Sequence, residues 1–231
     1  MLNQIEQQFN FKYPALYHTL FKDGMLDSGK TGPGWLSEEF PGLRLSPPLL
    51  LFGNDIELIP LEKITKEIEN LENPEDYPYK KEELKFIPFA QTAGGDLYCF
   101  YINGQKGEDI PIVIVWHDMD EAEILAKNLQ DFIFRSMLEA VVDIYEDELI
   151  MEDNFEENIS NMFNTHKKYL TENQNAIINE IYSREIEEYT YKLPGGNKET
   201  AEGLLTYNEL EKILHDKIGF EGLNNTFPYR K

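Results

Sequence analysis

Cysteine is almost absent: Cys99 stands alone among 231 residues. A single thiol excludes an intrachain disulfide and any metal site built from several cysteines, and it suits a reducing compartment. Base is scarce as well, with 21 Lys and Arg against 43 Asp and Glu and a net charge of −22. Phosphate contacts need clustered Lys and Arg, so the balance argues against a nucleic-acid-binding surface. Anionic lipid headgroups are repelled in the same way. No apolar run approaches the roughly 20 residues of a membrane span. The opening stretch, MLNQIEQQFNFKYP, has no basic segment followed by an apolar one and does not read as a signal peptide. Internal repeats and low-complexity tracts are missing too. These absences lead us to expect a cytoplasmic protein that engages neither nucleic acid nor membrane.

What remains is ample material for a core. Apolar residues make up 41% of the chain and aromatics 13%, more than a disordered chain carries. The length fits one large domain, or one of common size with an appended module. The excess acid serves solubility, and it also attracts basic proteins and speeds encounter with them.

Leu2, Ile5 and Phe9 recur at helical spacing and predict a short first helix. Pro14 opens a second, carrying Leu16, Tyr17, Leu20 and Phe21, with Gly24 as its stop. Residues 27–48 are rich in Gly and Pro and read as a loop, a possible lid over the sheet. Leu49–Phe52 and Ile56–Ile59 read as a small strand pair around Gly53-Asn54-Asp55. Pro60 starts a helix through Leu61, Ile64 and Ile68 that ends at Asn73-Pro74. Three strands follow, at Phe86–Phe89, Leu97–Ile102 and Ile112–Trp116, joined by short loops that make the sheet antiparallel. The last two are apolar on both faces, which suits central positions. From Glu121 the spacing of Leu125, Leu129, Phe132, Ile133, Met137, Ala140 and Ile144 predicts one long helix.

The fold class expected is therefore α+β: a central antiparallel sheet flanked by helices, with a mostly helical C-terminal extension. We set the domains at 1–150 and 151–231, the extension resting on the first domain. In the extension, Ile159, Phe163, Tyr169, Ile177, Ile178 and Ile181 suggest helices, and Glu185–Lys192 alternates like a strand. Leu193-Pro194-Gly195-Gly196-Asn197 is a turn. Thr206 and Glu209 form a capping box before a final helix that Gly219 ends.

Four segments, taken in order, resemble the Smi/Knr branch of the SUKH superfamily. They are YPALYHTLFKDG, with Pro14, Tyr17, Leu20 and Gly24; ELIPLEKI, Glu57–Ile64; FIPFAQTAGGDLYCF, Phe86–Phe100; and PIVIVWHDMDE, Pro111–Glu121, followed by Leu129 and Phe132. The first departs from the family in having Asp23-Gly24 where Asn-Gly is usual, and the likeness fades near residue 145, leaving the final third outside it. The resemblance implies an α+β fold without enzymatic activity or cofactor. It implies a protein-binding role, as in immunity proteins that neutralise bacterial toxins, often nucleases, or in regulatory scaffolds that recruit an endogenous partner. A basic toxin domain is the partner expected; the oligomeric state stays open.

His117, Asp118, Asp120 and Glu121 sit together at a strand end and are the one enzyme or metal candidate, kept as an alternative function. Neighbours such as His117 and Asp118 tend to diverge, however, and a turn leading into acids favoured at a helix start accounts for them. Gly94-Gly95-Asp96 lacks the spacing of a phosphate loop and enters a strand, so it reads as a turn. Cys99 lies mid-strand as a buried thiol, and His18, His166 and His215 have no partner at fixed spacing. No catalytic, cofactor or metal residue is assigned. Partner contacts are expected at Trp35, at the acids Glu67, Glu69, Glu72, Glu75 and Asp76, and at Glu146, Asp147, Glu148, Glu152 and Asp153.

Overall fold

A computed structural model describes the chain except for Pro74, Asp76, Pro78, Tyr79, Glu146, Asp147, Pro194, Lys231 and the side chain of Glu148. In chain order the elements are helices α1 (Leu2–Phe9), α2 (Ala15–Lys22), α3 (Trp35–Glu38) and α4 (Phe40–Leu43), strand β1 (Glu57–Leu58) and α5 (Leu61–Glu72). Then come β2 (Phe86–Gln91), β3 (Leu97–Tyr101), β4 (Ile112–Val115), β5 (Glu121–Ala126) and α6 (Leu129–Glu139). The chain continues through α7 (Glu148–Met151), α8 (Phe155–His166), α9 (Glu172–Ile181), β6 (Glu187–Lys192), β7 (Lys198–Gly203), α10 (Tyr207–Ile218) and β8 (Thr226–Pro228). The expected α+β class is what the structure shows.

Two compact units share these elements, and neither is continuous in sequence. The first comprises Met1–Ser28, Asp55–Phe132 and Phe220–Lys231; the second comprises Gly29–Asn54 and Ile133–Gly219.

In the first unit a six-stranded antiparallel sheet runs in the order β1-β2-β3-β4-β5-β8. The doubly apolar strands do lie centrally: Leu97 pairs with Val115 and Phe100 with Ile112, and both strands are buried almost throughout. The sheet curls until the residues entering β2 meet those leaving β8. Lys80 bridges to Arg230, and the Lys81 N–H donates to the Tyr229 carbonyl at 2.9 Å. Aromatic rings fill the resulting interior, with Phe227 5.1 Å from Tyr101 and Tyr229 edge-on to Phe86 at 6.2 Å. Elsewhere in the unit, Tyr17 meets Phe100 at 5.2 Å, and Phe89 lies between Phe100 and Phe132 at 4.9 and 5.8 Å. Such edge and offset contacts are the favoured aromatic geometries.

Helix α1 ends where Asn10 takes a left-handed conformation, φ 49°, and Lys85 Nζ donates to the Phe9 carbonyl there, a cation at a helix C-terminus. Glu6 is buried at 3% exposure yet satisfied, accepting from the Tyr13 N–H at 2.9 Å and contacting Lys12 at 3.0 Å and His18 at 2.9 Å. It joins α1 to α2 and to the turn between them.

Two sequence expectations are corrected. Residues 121–126 form a strand, not the start of a long helix; β5 pairs with β4 on one side and β8 on the other. Its sequence, EAEILA, has strong intrinsic helix preference, which a two-sided ladder overrides. A register shift opposite Ile112/Val113 further breaks the period-two pattern that would have marked a strand. Leu49–Phe52 is no strand either: successive turns carry it, with Leu50 at φ 60°, and they bury Leu49, Leu50 and Phe52. Only Glu57–Leu58 of the expected pair joins the sheet, against Ala90 and Gln91.

In the second unit, caps define the helices. The Asn154 side chain accepts from the Glu157 N–H at the start of α8, and Thr171 with Gln174 forms a capping box on α9. The box foreseen at Thr206 and Glu209 opens α10, and Gly219 closes it at φ 54°. Strands β6 and β7 form an antiparallel hairpin running from the Glu187–Gly203 pair to the Lys192–Lys198 pair. The segment after α6 runs beside β7: the Leu204 N–H donates to Val141 O at 2.8 Å, and Ile144 N–H to Glu202 O at 2.9 Å.

Candidate protein-binding surface

The expected contact residues divide between the two units. On α5, Glu67 is half-buried and accepts from Asn70 Nδ2 at 3.1 Å, whereas Glu69 and Glu72 are exposed. Glu72 reaches Lys80 at 3.3 Å. Glu75 is exposed, its N–H bonded to the Asn73 side chain, and Asp76 lies outside the described residues. The second cluster belongs to the other unit. Glu152 and Asp153 are exposed, while Glu146, Asp147 and the side chain of Glu148 lie outside the described residues. Asp153 pairs with Arg44 at 2.9 Å, with Glu157 3.7 Å from the same guanidinium. Part of this acidity therefore holds a largely buried arginine.

Trp35 is half-buried on α3, its ring 5.6 Å from Phe40, which in turn meets Phe52 edge-on at 6.3 Å. It caps an aromatic stack and keeps an accessible face.

The strand-end corner is more closely knit than neighbouring positions suggested. Asp96 Oδ1 accepts from the His117 backbone N–H at 3.0 Å and contacts His117 Nδ1 at 2.8 Å. Asp96 also closes its own turn, its N–H donating to Thr92 Oγ1 at 2.9 Å. Asp118 brings a further carboxylate, and the three groups' potential ligand atoms lie within 4.8 Å of one another. His117 and Asp118 thus converge where divergence was expected, because Asp96 from the neighbouring strand end draws the histidine in. Arg230 anchors the corner from the C-terminal segment, donating to His117 O at 2.9 Å and pairing with Asp120 at 3.3 Å. Tyr229 Oη donates to Trp116 O at 2.8 Å. These bonds fasten the β2–β3 turn, the end of β4 and the segment leading out of β8, which gives Asp96, His117, Asp120, Tyr229 and Arg230 structural tasks.

Nucleophilic chemistry finds no support at Cys99: the thiol is fully buried in β3, and burial pushes its pKa well up, so the reactive thiolate is suppressed.

A depression on the second unit was not anticipated from the sequence. Phe155, Ile159 and Phe163 of α8, the end of α9, residues 182–186 and Leu204 enclose about 530 Å³. The spacing of the three α8 residues, i, i+4 and i+8, was the available signal; a helical face reads the same whether it meets core or groove. Among the described residues no helix is long and apolar enough to cross a membrane.

Comparison with known proteins adds one positive result. Searches among curated proteins and among solved structures give no match. Residues 1–135 match the model of the SMI1 / KNR4 family (SUKH-1). That span exceeds half of the chain and covers the four segments on which the resemblance rested. The chain belongs to the SMI1 / KNR4 family (SUKH-1).

Proposed function

We propose that this protein is a non-catalytic immunity protein that binds a cognate bacterial toxin and blocks its active site. Membership of a family of immunity-type domains carries this reading. The charge of −22 supports a basic partner, and for a nuclease toxin it supplies a surface that imitates the phosphate backbone its cleft evolved to bind. Trp35, the acids Glu67, Glu69, Glu72, Glu75 and Asp76, and those of residues 146–153 are the contacts we assign to it, as an aromatic anchor within a steering field.

The test is co-expression with a toxin encoded beside its gene. Rescue of growth and recovery of a stoichiometric complex are expected, with association slowing steeply as salt is raised. Survival without a complex, or no rescue from any adjacent toxin, would remove the proposal. A stable complex with an endogenous protein, and no toxin gene nearby, would favour recruitment to a regulatory scaffold instead. The convergence of Asp96, His117 and Asp118 favours a metal-site alternative. His117→Ala and Asp118→Ala variants that still protect cells would eliminate it.

A further inference from the structure

We infer that the groove between α8 and α9 receives a large apolar side chain from a basic protein segment, with the flanking Lys or Arg of that segment lying on the groove's acidic rim. This deepens the proposed function and rests on it for the sign of the partner's charge.

Shape comes first. The groove's volume, about 530 Å³, falls within the range of sites that engulf a ligand group. Its floor is apolar: Ile159 and Leu204 are each 4% exposed, flanked by half-buried Phe155 and Phe163. Ile186 forms one wall and is 40% exposed, a β-branched side chain left open to water beside a cavity. The Tyr182 hydroxyl is turned into the fold, donating to Met137 O at 2.8 Å. Ser160, Asn179 and Ser183 also line the groove, so an apolar floor is bordered by neutral polar groups as well as by acids.

Charge then selects the occupant. Glu156 and Glu185 on the rim are exposed. Among the described residues that line the groove the one cation, Arg184, is committed to Glu180 at 3.0 Å and Glu209 at 3.3 Å and donates to Leu204 O at 3.2 Å. Through Arg184, Glu185 and Leu204 the groove continues into a second depression of about 440 Å³, where Glu187 and Glu209 add carboxylates beside Tyr189. The sequence that supplies α8 holds nine acids and no Lys or Arg over the thirty-one residues from 136 to 166. An apolar floor so surrounded repels an acidic segment and favours one with an apolar anchor set among bases over a neutral polar one. Copies of this acidic chain repel each other for the same reason.

The experiment uses the full chain, isotopically labelled, and three synthetic helical peptides: one of leucine and lysine, one with every leucine replaced by serine, and one with every lysine replaced by glutamate. The leucine–lysine peptide is expected to shift the amide resonances of Ile159, Phe163 and Ile186. The serine form should bind about tenfold or more weakly, the loss of roughly one buried anchor, and the glutamate form not at all. Ile186→Asp should weaken the leucine–lysine peptide about tenfold without lowering the melting temperature; because it adds negative charge, a purely electrostatic surface would bind more tightly instead. Equal binding of the leucine and serine peptides, or shifts confined to other surfaces, would overturn the groove while leaving an acidic partner-binding role intact. Concentration-dependent shifts of the same resonances without peptide would overturn it in favour of a second copy of the chain. Failure of both basic peptides to bind would count against the groove and against the charge argument for a basic partner together.

Discussion

Replacing Gly203 with alanine tests whether the segment after α6 is held against β7 as closely as the structure shows. A Cβ at Gly203 would lie 2.1 Å from Val142 O and 2.6 Å from Val141 O, both backbone atoms, where ordinary contact begins at 3.4 Å. The segment must retreat by roughly 1.3 Å to admit it. That retreat stretches three hydrogen bonds beyond useful length: Leu204 N–H to Val141 O, Ile144 N–H to Glu202 O, and Tyr189 Oη to Val142 O at 2.9 Å. At about 1 kcal/mol net for each, the loss is about 3 kcal/mol. For a chain of this size that lowers the melting temperature by about 6–12 °C. Thermal denaturation measures the total, and amide hydrogen exchange locates it, with Ile144 and Leu204 expected to lose protection. Gly195→Ala is the control, since a Cβ there meets nothing within 4 Å. A Gly203→Ala variant that melts within about 1 °C of the parent, or exchanges its Ile144 and Leu204 amides at the parental rate, would refute the reasoning.

Two further outcomes follow from buried ionisable groups. His166 is 1% exposed, and burial, only partly opposed by its bond to Met162 O, lowers its pKa to about 4. The unfolded chain binds the extra proton first, so stability is full above the ordinary value of 6.5 and falls by about 3 kcal/mol as pH drops from there to about 4; urea titrations across that range should show the slope in the parent and its loss in His166→Leu. Glu6 shifts in the same direction for a different reason: burial pushes its pKa up, but bonds from His18, Lys12 and the Tyr13 N–H outweigh this and hold it below 4.5. Its contribution is full above the ordinary carboxylate value and is lost as pH falls through the lowered one. Glu6→Ala leaves the Tyr13 N–H without its acceptor and should cost about 2 kcal/mol at neutral pH, the 78%-exposed Lys12 adding little; a denaturation midpoint equal to the parent's would contradict this.

What the sequence disclosed and what it concealed separate along a physical line. Helices announced by their own ends were legible: Pro14 before α2, Pro60 before α5, and the Thr206–Glu209 box before α10 all act through bonds a few residues away. The continuous apolar character of β3 and β4 likewise announced burial on both faces. Elements decided by distant partners were not legible. EAEILA becomes a strand only because β4 and β8 lie on either side of it. The last strand, Thr226–Pro228, is three residues long and carries no period at all, and β7, KETAEG, is exposed over half its length. The candidate surface behaved similarly. Acidic clusters could be seen as composition, but not that Asp153 spends its charge on Arg44, nor that Asp96 gathers His117 from twenty-one residues away.

The return of the chain to its first unit changes what the family match implies about the last third. The match ends at residue 135, yet the sheet whose strands β1–β5 fall within it is completed by β8, ninety residues later, whose ladder on β5 runs from Glu121–Pro228 to Glu123–Thr226. Phe227 and Tyr229 fill the interior of the curl, and Tyr229 is fully buried. An edge that would expose the backbone of β5 is thereby covered, which removes a ready template for unwanted pairing. Residues 133–219 thus lie, along the chain, between two stretches of the first unit that pair through β5 and β8. An insertion anchored at both ends loses less entropy on ordering than a free tail does. That makes it an economical place to carry the depression lined by Phe155, Ile159, Phe163 and Leu204.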